Sequence, residues 1–191
     1  MLTATRDLID EVGFSRFSID ALAIRAGVSK ATVYRWWDNR ADVAMDALLD
    51  AAGPDTPVLH AGSALENLVS HVHIGVAFLA GPHGRTLAGV VGDAQHDPQL
   101  AQAFRDRYLS RRRRLVIGLI RQAIDDGDLR PDTDPDLLVD VLIGPMYYRL
   151  LLGHAAVTEA MADALVDVVL RSHGTARARP RPRAPDPARA S

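Results

Sequence analysis

The chain has 191 residues, of which 48% are apolar and only 5% aromatic, and its formal net charge is −2. This size and apolar content support a real core, which excludes a disordered chain. Cysteine is absent, so disulfides, thiolate metal sites and cysteine nucleophiles are excluded, and a reducing cytoplasm fits. The sequence shows no signal-peptide pattern and no apolar run long enough for a membrane span, and its Ala- and Leu-rich composition favours an all-α fold.

Short, capped helices are predicted in the first part of the chain. Gly13 ends an apolar stripe, and Ser18 is placed to cap a helix over residues 19–26. Ser29 is placed to cap the next helix, over residues 30–37. Asn39 and Asp42 resemble a capping box that opens a helix over residues 40–52.

A Gly/Pro cluster at residues 53–57 predicts a boundary, and longer helices follow it. The patterns predict helices over residues 63–79 and 85–92, one long helix that starts at residues 97–98 and ends at residues 126–127, and helices over 137–153 and 158–171. The predicted domains are therefore a three-helix unit over 1–52 and a helical bundle over 58–173. Residues 174–191, rich in Arg and Pro, are predicted to form a disordered tail.

The spacing of Ala23, Gly27 and Val33 carries the functional signal. Two helices joined by a tight turn need a small residue where they cross and a glycine where the turn requires positive φ. They also need an apolar residue on the second helix that packs back on the first. The spacing, set between two capped segments, therefore predicts a helix-turn-helix.

The surrounding residues extend this pattern through three helices in register. Gly13-Phe14, the run from Ser18 to Ala23 and the run from Ala26 to Arg40 resemble the DNA-binding domain of the TetR family of transcriptional regulators, over about residues 2–50. The run from Gly127 to Asp132, with Gly144-Pro145 after it, is similar to the C-terminal domain of one subgroup. The resemblance implies a ligand-responsive homodimer, a repressor that binds a palindromic double-stranded DNA operator, with an unknown small-molecule effector in the C-terminal bundle.

The same resemblance implies a set of DNA-contacting residues. The set is Ser18, Ser29, Lys30, Ala31, Thr32, Tyr34, Arg35, Trp36 and Arg40. Lys30 and Arg35 would bond guanine edges, and Ala31 would contact a thymine methyl group. Tyr34 would donate its hydroxyl to a phosphate. Arg40, where the family usually has Lys, would bind a phosphate at the start of the fourth helix.

Aromatic residues in the bundle are the candidates for an effector pocket. Phe78, Phe104, Tyr108 and Tyr147 are predicted to line it, with core or subunit-interface packing as the alternative. Among residues 111–114, all Arg, one of the first two must meet the core side. That arginine either pairs with a buried acid or lines a cavity.

The last two predicted helices are apolar on more than one face. Their apolar residues are more than one core can bury; the excess includes Leu138, Leu142, Leu165 and Val169. This predicts a homodimer through these helices. The histidines are scattered, and no catalytic constellation is found, so we expect no metal site, no cofactor and no enzyme activity. Two alternatives remain: a ligand-binding or enzymatic bundle whose helix-turn-helix is only structural, or a protein-interaction adaptor.

Overall fold

The computed structural model describes residues 1–51 and 62–178 of the chain. The predicted boundary at 53–57 and residues 179–191 of the predicted tail lie outside the described residues. Within the described ranges the protein is helical, and the sole β-type feature there is an isolated antiparallel bridge between Leu129 and Gly174. The all-α prediction is confirmed.

Two groups of helices follow one another along the chain. The N-terminal group is α1 (Leu2–Val12), a 3-10 turn (Phe14–Arg16), α2 (Ile19–Ala26), α3 (Lys30–Tyr34) and α4 (Arg40–Ala51). The C-terminal group is α5 (Ala64–Ala80), α6 (Pro82–Ala94), α7 (Pro98–Ala103), a π-helix (Phe104–Leu109), α8 (Ser110–Asp125), α9 (Pro135–Leu152) and α10 (Glu159–His173).

The predicted serine caps start their helices as expected. The Ser18 hydroxyl accepts a hydrogen bond from the Ala21 amide at 3.2 Å, and the Ser63 hydroxyl accepts one from the Glu66 amide at 3.2 Å. The Glu66 carboxylate in turn accepts a hydrogen bond from the Ser63 amide, which completes a capping box on α5. Thr158, also a predicted cap, makes no side-chain capping bond to α10.

Helix α4 connects the two groups because it packs against α1 on one side and against α7 and the π-helix on the other. Its apolar residues, among them Val43, Met45 and Leu48, are almost fully buried. Within the described residues, no single helix is long and apolar enough to cross a membrane, and only α5 and α6 together, bent by 81°, meet the criteria of length and composition.

The predicted unbroken helix from residue 97 contains a π-helix between α7 and α8. The wider turn changes the register of the side chains that follow it. Phe104 and Tyr108 both lie on this segment, and their rings stack with centroids 5.3 Å apart. A sequence period of 3.6 residues does not reveal such a turn, and π-helices are often found at functional sites.

The ordered chain continues past the predicted start of the tail at residue 174. The Thr175 amide donates to the Asp128 carbonyl at 2.9 Å, and the Thr175 hydroxyl donates to the Gly127 carbonyl at 2.8 Å. Residues 174–178 therefore belong to the folded domain, because the loop after α8 provides acceptors for them. The prediction of disorder from residue 174 was wrong for these residues.

Candidate nucleic-acid interface and ligand cavity

The helix-turn-helix has the geometry that its three spaced residues predict. Gly27 has φ 65° and ψ 33°, the left-handed conformation that ends α2 and opens the turn. Ala23 is 5% exposed and Val33 is fully buried, so α2 and α3 pack closely at these positions. The two helices are thus held at a fixed angle by a small contact, a glycine turn and one apolar anchor.

The outer face of α3 and the turn after it is exposed, polar and aromatic. Lys30, Ala31 and Arg35 are exposed, and so are the aromatic rings of Tyr34 (53%) and Trp36 (68%). We call this set, together with Ser29 and Thr32, the recognition face. The exposed aromatic pair beside two cations has the composition that nucleic-acid-binding surfaces typically show.

Trp37 anchors the recognition face from behind. It is 8% exposed, and its indole Nε1 donates to the Asp46 carboxylate on α4 at 2.7 Å. Asp46 also accepts from Arg107 of the π-helix at 2.8 Å, and Arg107 contacts Asp42 at 2.7 Å. The turn after α3 is therefore joined through α4 to the C-terminal domain.

Several predicted DNA contacts already have partners within the chain. The Lys30 ammonium lies 2.7 Å from the Asp20 carboxylate, but both side chains are well exposed. Exposed pairs of this kind contribute little to stability, so Lys30 is easily released to another acceptor. The Ser29 hydroxyl accepts from the Thr32 amide at 3.1 Å, so it serves first as the cap of α3.

Arg40 does not have the free, outward guanidinium that its predicted phosphate contact requires. One of its terminal nitrogens donates to the carbonyls of Phe14, Ser15 and Phe17 at 3.1–3.2 Å. The other donates to the Asp97 carboxylate at 3.1 Å, and the guanidinium carbon lies 4.4 Å from the Phe14 ring centroid. Arg40 therefore fastens the turn after α1 to the start of α7, a role that its match to a family position did not reveal.

Asp97 also accepts hydrogen bonds from groups other than Arg40. Its carboxylate caps α7 by accepting from the Gln99 and Leu100 amides at 3.0 Å each. The bond from the Leu100 amide, and then those from Arg40, hold the pKa of Asp97 below its ordinary value. The pair thus joins a cap in the C-terminal domain to the DNA-binding domain.

We expect Arg40→Met to lower the free energy of unfolding by about 2 kcal/mol, because it leaves three carbonyls and a carboxylate without their charged donor. Chemical denaturation measures this loss. Arg35→Met is the matched control and should unfold like the wild type, because Arg35 is exposed on the recognition face. If Arg40→Met is as stable as the wild type but binds every DNA sequence more weakly, the phosphate role predicted from the sequence is correct instead.

A second candidate site lies inside the C-terminal domain. A cavity of about 350 Å³ opens between α5, the π-helix, α8 and α9, a volume within the range of ligand sites. The structure places the four predicted pocket residues on its wall: Phe78, Phe104, Tyr108 and Tyr147. The remaining wall is also mainly apolar, with contributions from Val116, Val139, Ile143 and Met146.

Three ionisable groups in the cavity wall are uncharged at pH 7: His71, Tyr108 and Tyr147. Burial raises the pKa of both the Tyr108 and the Tyr147 hydroxyl. Burial, and then the nearby Arg112 charge, lower the pKa of His71 to about 4, so His71 is neutral at pH 7. The tyrosines are likewise neutral at that pH.

The apolar surface of α9 and α10 differs in position from the prediction. Leu138, Leu142 and Val169 are buried in the monomer's own core, at 1%, 1% and 3% exposure. The exposed apolar side chains of these two helices are instead Leu137, Val141, Tyr148, Leu151, Leu152 and Val168. An apolar surface does exist here, and Leu165, the fourth predicted residue, is half-buried on α10. Period alone assigned the wrong stripe of α9 to this surface, because α9 is apolar nearly all round.

Sequence reasoning missed His71 in the cavity, and the contacts that Arg107 makes to α4. A lone histidine on an apolar helix carries no signal that separates a cavity wall from a packed core. Arg112 was one of two arginines predicted to meet the core side, and the structure assigns that position to it. Arg111 is exposed.

The comparisons with known proteins agree with this architecture. Residues 1–52 match the family described as bacterial regulatory proteins, tetR family, and residues 58–169 match the tetracyclin repressor-like C-terminal domain. The HTH-type transcriptional regulator YdeS of Bacillus subtilis is 37% identical over 166 residues, which cover 87% of this chain and 84% of YdeS. The DNA-binding transcriptional repressor TetR of Mycobacteroides abscessus is 27% identical over 172 residues, 89% of this chain and 90% of that protein.

Similarity to a solved structure extends the agreement to three dimensions. The crystal structure of the TetR family transcription regulator SCO0332 superposes with a TM-score of 0.70 at 33% identity. The match covers 89% of this chain and 94% of that one. An exposed recognition helix in a helix-turn-helix, followed by an all-helical domain, defines a helix-turn-helix transcriptional regulator.

The two family models together cover most of the chain, and YdeS is 37% identical over 87% of it. The protein belongs to the TetR family of transcriptional regulators.

Proposed function

We propose that this regulator is an effector-responsive repressor that binds a palindromic operator as a homodimer. The observation that carries the proposal is the recognition face, in which α3 and the turn after it expose Lys30, Arg35 and the rings of Tyr34 and Trp36. Repression is supported by the Mycobacteroides abscessus relative, which is named a repressor. Selection of random duplex DNA by the purified protein tests it.

The chemistry of the recognition face suits the major groove. Arg35 and Lys30 match the acceptors of guanine, and the Ala31 methyl suits a thymine methyl. Tyr34, Trp36 and the Ser18 hydroxyl are placed around this centre for phosphate and sugar contacts. The N-terminal domain carries six basic and eight acidic residues over 1–50, so its affinity for unrelated DNA should be modest.

The first alternative is a bundle in which the helix-turn-helix is only structural. A structural cap would turn its aromatic residues inward, whereas Trp36 is 68% exposed. The second alternative, a protein-interaction adaptor, would use the same exposed face. The two binding classes differ in their salt dependence, because DNA binding releases counterions and weakens steeply as salt rises.

The exposed apolar side chains of α9 and α10 support the homodimer. Several exposed apolar side chains on two helices are costly in water, and a two-fold axis would bury them against a second copy of the chain. A dimer formed through these helices would present two recognition helices about one DNA turn, ~34 Å, apart. That arrangement requires a palindromic site.

We expect Val168→Glu to turn the dimer into a monomer. Val168 is 55% exposed on α10, and the two-fold axis would bury two unpaired carboxylates in one interface, at a cost of about 2–5 kcal/mol each. Sedimentation velocity measures the change. Ile24→Glu is the control, since Ile24 is 83% exposed on α2 and should leave the dimer intact. A wild type that sediments as a monomer at micromolar concentration contradicts the proposed dimer.

The cavity and the contacts of Arg107 support a response to an effector. Phe104 and Tyr108 line the cavity from the same π-helix whose Arg107 contacts Asp42 and Asp46 of α4. An effector that shifts the π-helix would pull on α4 and, through Asp46, on Trp37 behind the recognition face. Binding one arrangement better than the other is what couples effector to operator.

A further inference from the structure

Arg112 is the unusual residue of the cavity. It lies on α8, and its guanidinium carbon is 5.0 Å from the Tyr108 ring centroid and 5.6 Å from the Phe78 ring centroid. Its Nε is buried and has no hydrogen-bond partner. A buried donor without an acceptor costs free energy, so a purely structural role leaves this arrangement unexplained.

The other charges around the cavity are already neutralised. Arg113, the next residue, bonds the carboxylate of Asp140 and contacts that of Asp136 at 3.2 Å. His71 is neutral at pH 7, as its low pKa shows. Among the ionisable cavity residues in the described part of the chain, Arg112 alone is a charge without an ionic partner. The cavity therefore carries one uncompensated positive charge in an apolar wall.

We propose that the effector is an amphipathic monoanion, with an apolar or aromatic body and one carboxylate or similar acidic group that pairs with Arg112. The inference rests on the proposed function, because it names the ligand class of the effector site. A carboxylate would supply the acceptor that Nε lacks, and the guanidinium fork suits two parallel bonds to it. The apolar body would lie against Phe104, Val116 and Ile143.

A pair of fluorescent dyes that differ by one anionic sulfonate group tests the inference on the full-length protein without DNA. Anilinonaphthalene sulfonate is an amphipathic anion, and phenylnaphthylamine is the same ring system without the sulfonate. We expect the wild type to bind the sulfonate dye at least tenfold more tightly than the neutral dye, which corresponds to about 1.4 kcal/mol. Decanoate should displace the sulfonate dye, and decanol should displace it at least tenfold less well.

The variants locate the charge that is responsible. Arg112→Met should bind the sulfonate dye at least tenfold more weakly and leave the neutral dye within about twofold. Arg114→Met, the same change at an exposed position of α8, should bind both dyes like the wild type. If Arg112→Met fails to fold, as judged by circular dichroism, Arg112→Lys replaces it and should lower the preference without abolishing it.

Each result decides the matter. A wild type that binds neither dye, or binds both equally, overturns the inference, and so does an Arg112→Met variant that keeps the full preference. The dye experiment involves no operator, so it is independent of DNA binding. If the cavity prefers the anion but decanoate leaves operator affinity unchanged, the inference stands and the effector-responsive part of the proposed function fails.

Discussion

Gly84→Ala is expected to be the most destabilising single-methyl change in the C-terminal domain, with a loss of about 3 kcal/mol in the free energy of unfolding. Gly84 lies in the first turn of α6, where the chain bends by 81° after α5. A Cβ atom there would overlap the Leu79 carbonyl oxygen and come within 2.8 Å of its carbonyl carbon. Both atoms belong to the backbone of α5, so no side chain can move aside.

A second glycine of the same helix provides the control. Gly89 is exposed, and a Cβ atom there meets nothing within 4 Å. Gly89→Ala should therefore stabilise the protein by about 0.5–1 kcal/mol, through the higher helix propensity of alanine. Urea denaturation of both variants measures the difference. Equal stability of the two variants would show that the corner between α5 and α6 is not as tight as described.

Arg35→Ala is expected to reduce affinity for the preferred operator by a hundredfold or more. One bidentate contact to guanine is worth about 1–3 kcal/mol, and a dimer on a palindrome loses it in both half-sites. Arg35 is exposed on the recognition face, so its removal should leave folding unchanged. Lys30→Ala should act in the same direction, and its effect should be confined to the preferred sequence.

Fluorescence anisotropy with labelled operator and with unrelated duplex measures both affinities. Arg121→Ala is the matched control, because Arg121 is an exposed arginine of α8 in the C-terminal domain. It should bind the operator like the wild type. If Arg35→Ala keeps full operator affinity while remaining folded, base reading by α3 is wrong, and the adaptor alternative gains support.

The structure of the N-terminal, DNA-binding domain was the part of the fold that the sequence predicted best. Its signals are local: Ser18 and Ser29 cap their own helices, and Gly27 needs its left-handed turn whatever the rest of the chain does. The buried positions of Ala23 and Val33 follow from that turn. Local chemistry of this kind is fully contained in a short run of sequence.

The C-terminal half depends on contacts between distant residues, and prediction was correspondingly weaker there. The aromatic residues of the cavity were named from composition, but the π-helix that brings Phe104 and Tyr108 together is not visible in a periodic pattern. The α9 stripe was misassigned because an all-round apolar helix does not distinguish its core side from its outer side.

Arg40 shows that a family match leaves contacts within the chain unpredicted. Its position matches a phosphate-binding residue, yet its nearest acceptors are three carbonyls of the turn after α1 and the Asp97 carboxylate. Asp97 is 57 positions away in the chain. The pairing depends on how α7 packs against α4, which no pattern within residues 1–52 contains.

Selection of random duplex DNA by the purified full-length protein, at two salt concentrations, tests most directly whether the recognition face reads DNA. We expect enrichment of a palindrome whose half-sites lie about one turn, ~34 Å, apart, and no such enrichment by Arg35→Ala. Binding should weaken as salt rises, in proportion to the phosphates contacted. A folded, dimeric wild type that enriches no sequence at either salt concentration would contradict operator recognition by this face.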